Sequence, residues 1–470
     1  MPPFRTHALP FARLAPLRDA AQPPILPPPE AGAPGERGFE GPAPQGVLVW
    51  AVVLLFYFEI IGTFMGYAWA GVAGKRGIAF AAIPYVNMSR ALIYSLMAGY
   101  ILLRIKPVFR GIFQGAFGKF IFLQVAFFPV WLLLGLYWGW DPKQISGDVA
   151  YALLQVVYYL VGYSLFGLFS ESQKKKILTG ILFASLVHCV FSVACYFYGL
   201  REGTPVSLGL SLCVVFLSSA NLGALAASII VFAFGLPTMN RAYLVGILIA
   251  SPIMLSLARR RMLAVFLFLA LAVAGVFFIQ YYSESELIGR NITTRLEQLK
   301  KYAGGEEDRT QMIALYERVF EMERVWEEVH RSGIDLAFGK GHGASLNMID
   351  APDSTVVQAA ILGGGYVHNI HFLWSAIQFR YGSVGLGALL AYGIGIVFLI
   401  FTMVTRQNYG VLEGFLALFV CIEFGAGLFA SNYFFTNWLV FFAAGWLTRM
   451  NAVSRGPRGA RPPFRRTAVN

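Results

Sequence analysis

Charge is what this sequence has least of. Asp, Glu, Lys and Arg make up only 13% of its 470 residues, about half of what an ordinary soluble domain carries. With 57% hydrophobic residues and a mean hydropathy of +0.62, that excludes a soluble globular enzyme and points to a polytopic helical membrane protein. Cysteine is scarce too. Cys189, Cys195, Cys213 and Cys421 all lie inside apolar runs, so no disulfide framework is implied and no zinc spacing appears. The N-terminal residues lack the short apolar core and small-residue cleavage site of a signal peptide. No internal repeat is evident, which speaks against the repeat-built transporter folds.

What the chain does have is apolar runs longer than the roughly 18 residues that span a bilayer. Its net charge of +12 comes from bases in short loops and both tails, the positive-inside pattern rather than a nucleic-acid face. Arg104, Lys106, Arg110 and Lys119 mark one cytoplasmic side. Lys174–Lys176 and Arg259–Arg261 mark it again, while Lys75 and Arg76 sit against the scheme.

Residues 1–46 are rich in Pro, Gly and Arg and are expected to be a disordered cytoplasmic tail. The N-terminal membrane region is 47–280, with spans near 47–70, 88–103, 117–139, 148–169 and 177–199. The number of crossings between Lys176 and Arg259 must be even, yet 206–238 is about 50 Å long as one helix. Two short crossings hinged near Asn221 satisfy the parity. Arg241 then falls on the side opposite the basic clusters. After spans at 242–257 and 262–280 comes the one long hydrophilic loop, 281–367. Three more spans near 383–404, 411–429 and 433–447 fill the C-terminal membrane region, 368–447, and 448–470 is a basic cytoplasmic tail. The expected architecture is all-α, with about twelve transmembrane helices and the large loop between spans nine and ten.

Within the loop, EEDRTQMIALYERVFEMERVWEEVH reads as an amphipathic helix with Met312, Tyr316, Val319, Met322, Trp326 and Val329 as its apolar stripe. Asp308 is its expected N-cap. The run Gly339-Lys340-Gly341-His342-Gly343 breaks the chain into a turn. It lacks the GxxxxGK[ST] spacing of a phosphate loop.

The polar pair His368-Asn369 stands where the loop gives way to membrane, in GGGYVHNIHFLWSAIQFRYGSVGLG at 363–387. Such residues are costly near hydrocarbon unless partnered or facing water. They serve either as a capping and snorkelling pair or as chemistry. Arg241 is a lone charge between apolar runs, an anchor or a ligand-binding cation. Arg309 stands in the first turn of a helix, where the dipole disfavours a cation, though Glu306 could pair with it. His368 and His371 have the spacing of two metal ligands, but no HExxH accompanies them and the nearest acids, Asp350 and Asp353, lie in a loop.

Taken together, an Arg at a short outer loop (TMNRAYL), a basic inner loop (LARRRML) and an Arg starting a loop helix (EEDRTQMIALYERVF) are followed by a turn (FGKGHG) and a His-Asn pair (YVHNIHFL) leading to GSVGLG. This order, over residues 221–387, resembles the bacterial O-antigen ligase superfamily, which includes O-antigen polymerases and protein O-oligosaccharyltransferases. The resemblance implies a GT-C type glycosyltransferase of the bacterial inner membrane. Its donor would be a glycan on undecaprenyl pyrophosphate. Its acceptor would be a hydroxyl, in ligases that of a lipid A-core sugar, at the periplasmic face. By motif match it places His368, Arg309 and Arg241 as catalytic residues, with no metal or other cofactor and no nucleic-acid partner. Asn369, Lys340, His342 and Arg380 are the substrate-binding candidates. Arg380 stands where members often carry an acid, and the distance from His368 to Gly382 is a turn longer than theirs.

The chemistry agrees with that assignment. A departing pyrophosphate needs fixed cations, and the planar fork of arginine binds phosphate oxygens bidentately without losing its charge. The attacking hydroxyl must shed a proton, which a histidine can accept near neutral pH. A polymerase is the nearest alternative. A polysaccharide or lipid transporter, with polar residues lining a path through several spans, is the alternative of another class, followed by a metal-dependent hydrolase.

Overall fold

Among the described residues the apolar runs form helices, with only two short strands beside them, in the computed structural model. It describes residues 45–72, 79–105, 107–197, 204–219, 221–236, 241–257, 309–348, 366–368, 370–405 and 409–454. The expected crossing at 262–280, the basic cluster Arg259–Arg261, the loop segments 281–308 and 349–365, Asn369 and both tails beyond these limits lie outside the described residues.

The chain runs through α1 (Gln45–Val72), α2 (Ala79–Arg104), α3 (Gly115–Tyr137), α4 (Pro142–Leu165) and α5 (Glu171–Phe197), then three shorter apolar helices, α6 (Val206–Ser218), α7 (Leu222–Gly235) and α8 (Arg241–Leu257). Farther on come α9 (Arg309–Val329), α10 (Gly333–Phe338) and the two-residue strands β1 (Leu346–Asn347) and β2 (Tyr366–Val367). The last helices are α11 (Leu373–Thr405), α12 (Val411–Phe429), α13 (Ser431–Thr436) and α14 (Trp438–Ser454). Among the described residues, α2 to α5, α11 and α12 are six helices long and apolar enough to cross a bilayer, and α1, bent by 42°, brings the number to seven if its two halves form one span. The protein is a nearly all-helical, multi-pass membrane protein.

Local chemistry sets several boundaries. Asp141 caps α4 by accepting from the Lys143 N–H at 3.0 Å, and Pro142 fits the first helical position. Asn221 caps α7 by accepting from the Ala224 N–H, so the 206–238 run breaks into two short helices, as expected. They pack closely, since a Cβ on Gly209 would lie 2.6 Å from the Phe232 backbone. Small residues permit such approaches in membrane helices.

At the centre, α12 is buried along most of its length. Its Glu413 meets Lys174 at 2.7 Å, and Lys174 also pairs with Glu171 at 2.9 Å. Lys174 is thus paired with two carboxylates and is more than the charged anchor its sequence suggests.

The loop helix departs from its expected stripe. Trp326 is 60% exposed and Val319 38% exposed, whereas Glu321, Val325 and Val329 are buried. The side chains of Met312 and Tyr316 lie outside what is described. The reason is polar: the Glu321 carboxylate accepts from the backbone N–H of His371 at 3.1 Å and from its Nδ1 at 2.9 Å. That contact turns the face 321–325–329 inward and leaves Trp326 to stack on His330.

Candidate functional site

The turn after α10 is the frame of the site. Gly339, Gly341 and Gly343 have φ of 71°, 82° and 82°, a region costly for any residue with a Cβ. The turn needs them for a second reason, because Cβ atoms there would lie 2.4–2.6 Å from backbone or side-chain atoms of α3, α4 and α11. Hydrogen bonds then fasten it: the Lys340 and Gly341 N–H groups donate to the carbonyls of Phe379 and Arg380 at 2.8 Å, and the His342 N–H donates to Trp131 at 3.0 Å. Gly382, with φ 62°, kinks α11 directly after this contact. Beyond the turn, β1 pairs antiparallel with β2, Leu346 opposite Val367. That pairing delivers His368 beside the turn, five residues before α11 begins.

His368 ends up held on both sides of its ring. Nδ1 lies 3.0 Å from the Ala344 carbonyl and Nε2 lies 3.2 Å from Asp148 Oδ1. Asp148, 3% exposed on α4, also accepts from the Gly343 N–H through Oδ2 at 2.8 Å. Arg380 binds both partners, with Nη2 donating to the His368 carbonyl at 2.6 Å and Nη1 lying 3.4 Å from Asp148 Oδ1. Its guanidinium covers the Phe435 ring at 5.0 Å.

These three residues form part of the wall of a half-open cavity of about 850 Å³ among the helices, a size typical of small-molecule sites. Asn87, Arg90 and Tyr94 line it from α2, His188 from α5, Tyr243 from α8 and Glu423 from α12. Arg90 donates to Thr63 Oγ1 at 2.7 Å, and Ser207 donates to Glu423 Oε1. The cavity is therefore a mixed one, with cations, acids, amides and aromatic rings.

The structure brings His368 and Arg380 together at this wall. Arg241 is the first residue of α8, two before the cavity-lining Tyr243, and Arg309 is the first residue of α9. Their side chains lie outside what is described. Lys340 and His342 have other work and do not line the cavity. The Lys340 ammonium is buried against Asp335 at 2.7 Å and lies 4.2 Å from the centre of the Trp138 ring. His342 sits among Phe128, Trp131 and Tyr381. Burial first, then the nearby Arg380 charge, push its imidazole down to about 4. It is neutral at pH 7 and supplies no cation for an anion. His368 and His371 face separate carboxylates, Asp148 and Glu321, rather than a common point.

The low His342 value has a consequence for stability. The unfolded imidazole titrates near 6.5, so between pH 6.5 and about 4 the unfolded chain binds a proton that the folded chain does not. Stability is intact above pH 6.5 and falls as pH drops through that window, by up to about 3 kcal/mol from this residue. His342→Phe should remove that share. Melting midpoints of both proteins in detergent, measured from pH 7 to 4.5, should fall more steeply with acid in the wild type than in the variant. An equal acid loss in both would contradict the buried neutral ring.

Asp148, Arg90 and Glu423 were missed by sequence reasoning. An acid or base inside an apolar run is itself a signal, and Asp148 was legible only as the end of a span. No family model, no curated protein and no solved structure matches this chain.

Proposed function

We propose that the chain is a glycosyltransferase of the O-antigen ligase type. It moves a glycan from undecaprenyl pyrophosphate to an acceptor hydroxyl, such as that of a lipid A-core sugar, at the periplasmic face of a bacterial inner membrane. In this reading the chain has about twelve spans in a GT-C arrangement, and the reaction inverts the anomeric carbon without a metal. One observation carries it: a titratable His368, delivered by the loop, stands with Arg380 and Asp148 at the wall of a cavity among membrane helices. Arg241 and Arg309 each head a helix and are the cations assigned to pyrophosphate. An O-antigen or exopolysaccharide polymerase would use the same machinery with a second lipid-linked glycan as acceptor.

A transporter for polysaccharide or lipid is the second reading. It is favoured by polar and charged cavity residues that come from several spans, Arg90, Asp148, His188 and Glu423 among them.

The test is transfer by the purified protein from a polyprenyl-pyrophosphate-linked glycan to lipid A-core, run in EDTA. Product should form in the chelator, and Arg309→Lys should regain part of the activity lost in Arg309→Ala, since charge survives and bidentate geometry does not. Loss in EDTA that Mg²⁺ or Zn²⁺ restores would overturn the metal-free mechanism. Donor uptake into vesicles without product would favour the transporter.

A further inference from the structure

Glu321 is a fully buried carboxylate given over to one histidine. It accepts from the His371 backbone N–H at 3.1 Å and from the ring Nδ1 at 2.9 Å. These contacts fix the ring's rotation and keep a hydrogen on Nδ1. Nε2 is left over. Among the described residues it is neither paired nor buried, and 34% of the side chain is exposed. A buried acid thus orients a ring whose far nitrogen stays open.

Aromatic rings stand beside it in the chain. Phe372 and Trp374 stack with centres 4.5 Å apart, and Phe429 meets both edge-on at 5.8 Å. All three are half-buried. The His371 carbonyl accepts from the Ser431 N–H at 2.9 Å, where α13 begins. Phe435 and Thr436, at the other end of α13, line the cavity. Six residues of helix, roughly 9 Å, therefore separate His371 from the cavity wall.

An oriented polar atom beside half-exposed rings suits a sugar, whose C–H face covers an aromatic ring while a hydroxyl meets the polar atom. An anion fits poorly, because the charged group that touches His371 is itself a carboxylate. We propose that His371, oriented by Glu321, forms an acceptor-sugar subsite beside the cavity. Nε2 bonds a hydroxyl of the acceptor other than the attacking one, and the Phe372–Trp374 pair takes the sugar face. Glu321 is a positioning residue that acts through the histidine. This rests on the transferase reading above.

His371→Asn separates binding from support. The asparagine amide reaches about as far as Nδ1 and can still donate to Glu321, while Nε2 is gone. Acceptor KM should rise about tenfold, the worth of one hydrogen bond. The kcat, the donor KM and the melting midpoint in detergent should stay near wild type. Glu321→Gln should also raise acceptor KM, but add less than about threefold in the His371→Asn background, as expected for residues acting through one another. An unmoved acceptor KM in His371→Asn would overturn the proposal. So would a lowered melting midpoint with a matching loss of kcat, the mark of a structural clamp.

A binding measurement needs no turnover. The sugar chain of lipid A-core, cleaved from its lipid, is titrated into the full-length protein and followed by saturation-transfer NMR. Its Kd should weaken about tenfold in His371→Asn, with binding of the lipid-linked donor unchanged. If that difference appears in a protein that transfers nothing, the transferase reading fails and the subsite stands. Equal binding by both proteins, or none by the wild type, sinks the subsite alone.

Discussion

On the proposed transferase reading, replacing His368 with glutamine should reduce glycan transfer by about 10²–10⁴-fold, the usual contribution of a positioned base, while binding of the lipid-linked donor persists. Glutamine fits the test because its amide nitrogen can still donate toward the Ala344 carbonyl or the Asp148 carboxylate, the two groups that hold the ring at 3.0 and 3.2 Å. The tie from Arg380 to the residue 368 carbonyl is a backbone contact and survives as well. What disappears is the imidazole ring, which can serve as a general base where an amide cannot. Transfer should be followed with radiolabelled lipid-linked glycan, and donor binding measured separately on the same preparation. A variant that retains more than a tenth of wild-type transfer would remove His368 from the chemistry and leave it a capping residue at a loop end. Parallel loss of donor binding would instead make it part of the pyrophosphate site.

Much of this architecture was legible because a bilayer demands long apolar runs and a backbone bonded within each run. The break at Asn221 followed from length and charge parity. The cavity was not legible. Asp148 meets His368 across 220 residues, and no local pattern tells a polar residue on one helix which distant loop it will face. The rotation of α9 was hidden for a related reason. An apolar stripe identifies the face that prefers burial, but a buried acid satisfied by two donors from His371 outweighed it. The GKGHG turn was recognised as a turn, yet its cation and imidazole were free candidates until Asp335 and the aromatic rings around His342 came into view. Charge in a sequence is counted before pairing, and a site uses what remains after it.

Gly445→Val should be among the most damaging single changes in the described membrane helices. Gly162 on α4 and Gly445 on α14 face each other's helices with no room for a side chain. A Cβ on Gly445 would lie 2.0 Å from the Tyr159 carbonyl oxygen, and one on Gly162 would lie 1.9 Å from that of Phe442. Both obstacles are backbone, so no rotamer change relieves them, and the two helices must separate. Overpacking of a yielding core costs about 1–3 kcal/mol, and an unyielding one should exceed that. The melting midpoint in detergent should drop steeply, or the folded chain should not be recovered. Gly99 supplies the control: it lies on α2, exposed, and a Cβ there would meet nothing within 4 Å. Gly99→Val should melt close to wild type, losing only a β-branched residue's small deficit in helix propensity and regaining part of glycine's backbone entropy. Equal stability of the two variants would mean that α4 and α14 are not in this contact. Because α4 also carries Asp148, any Gly445→Val protein that does fold should lose transfer as well, through a carboxylate drawn away from His368.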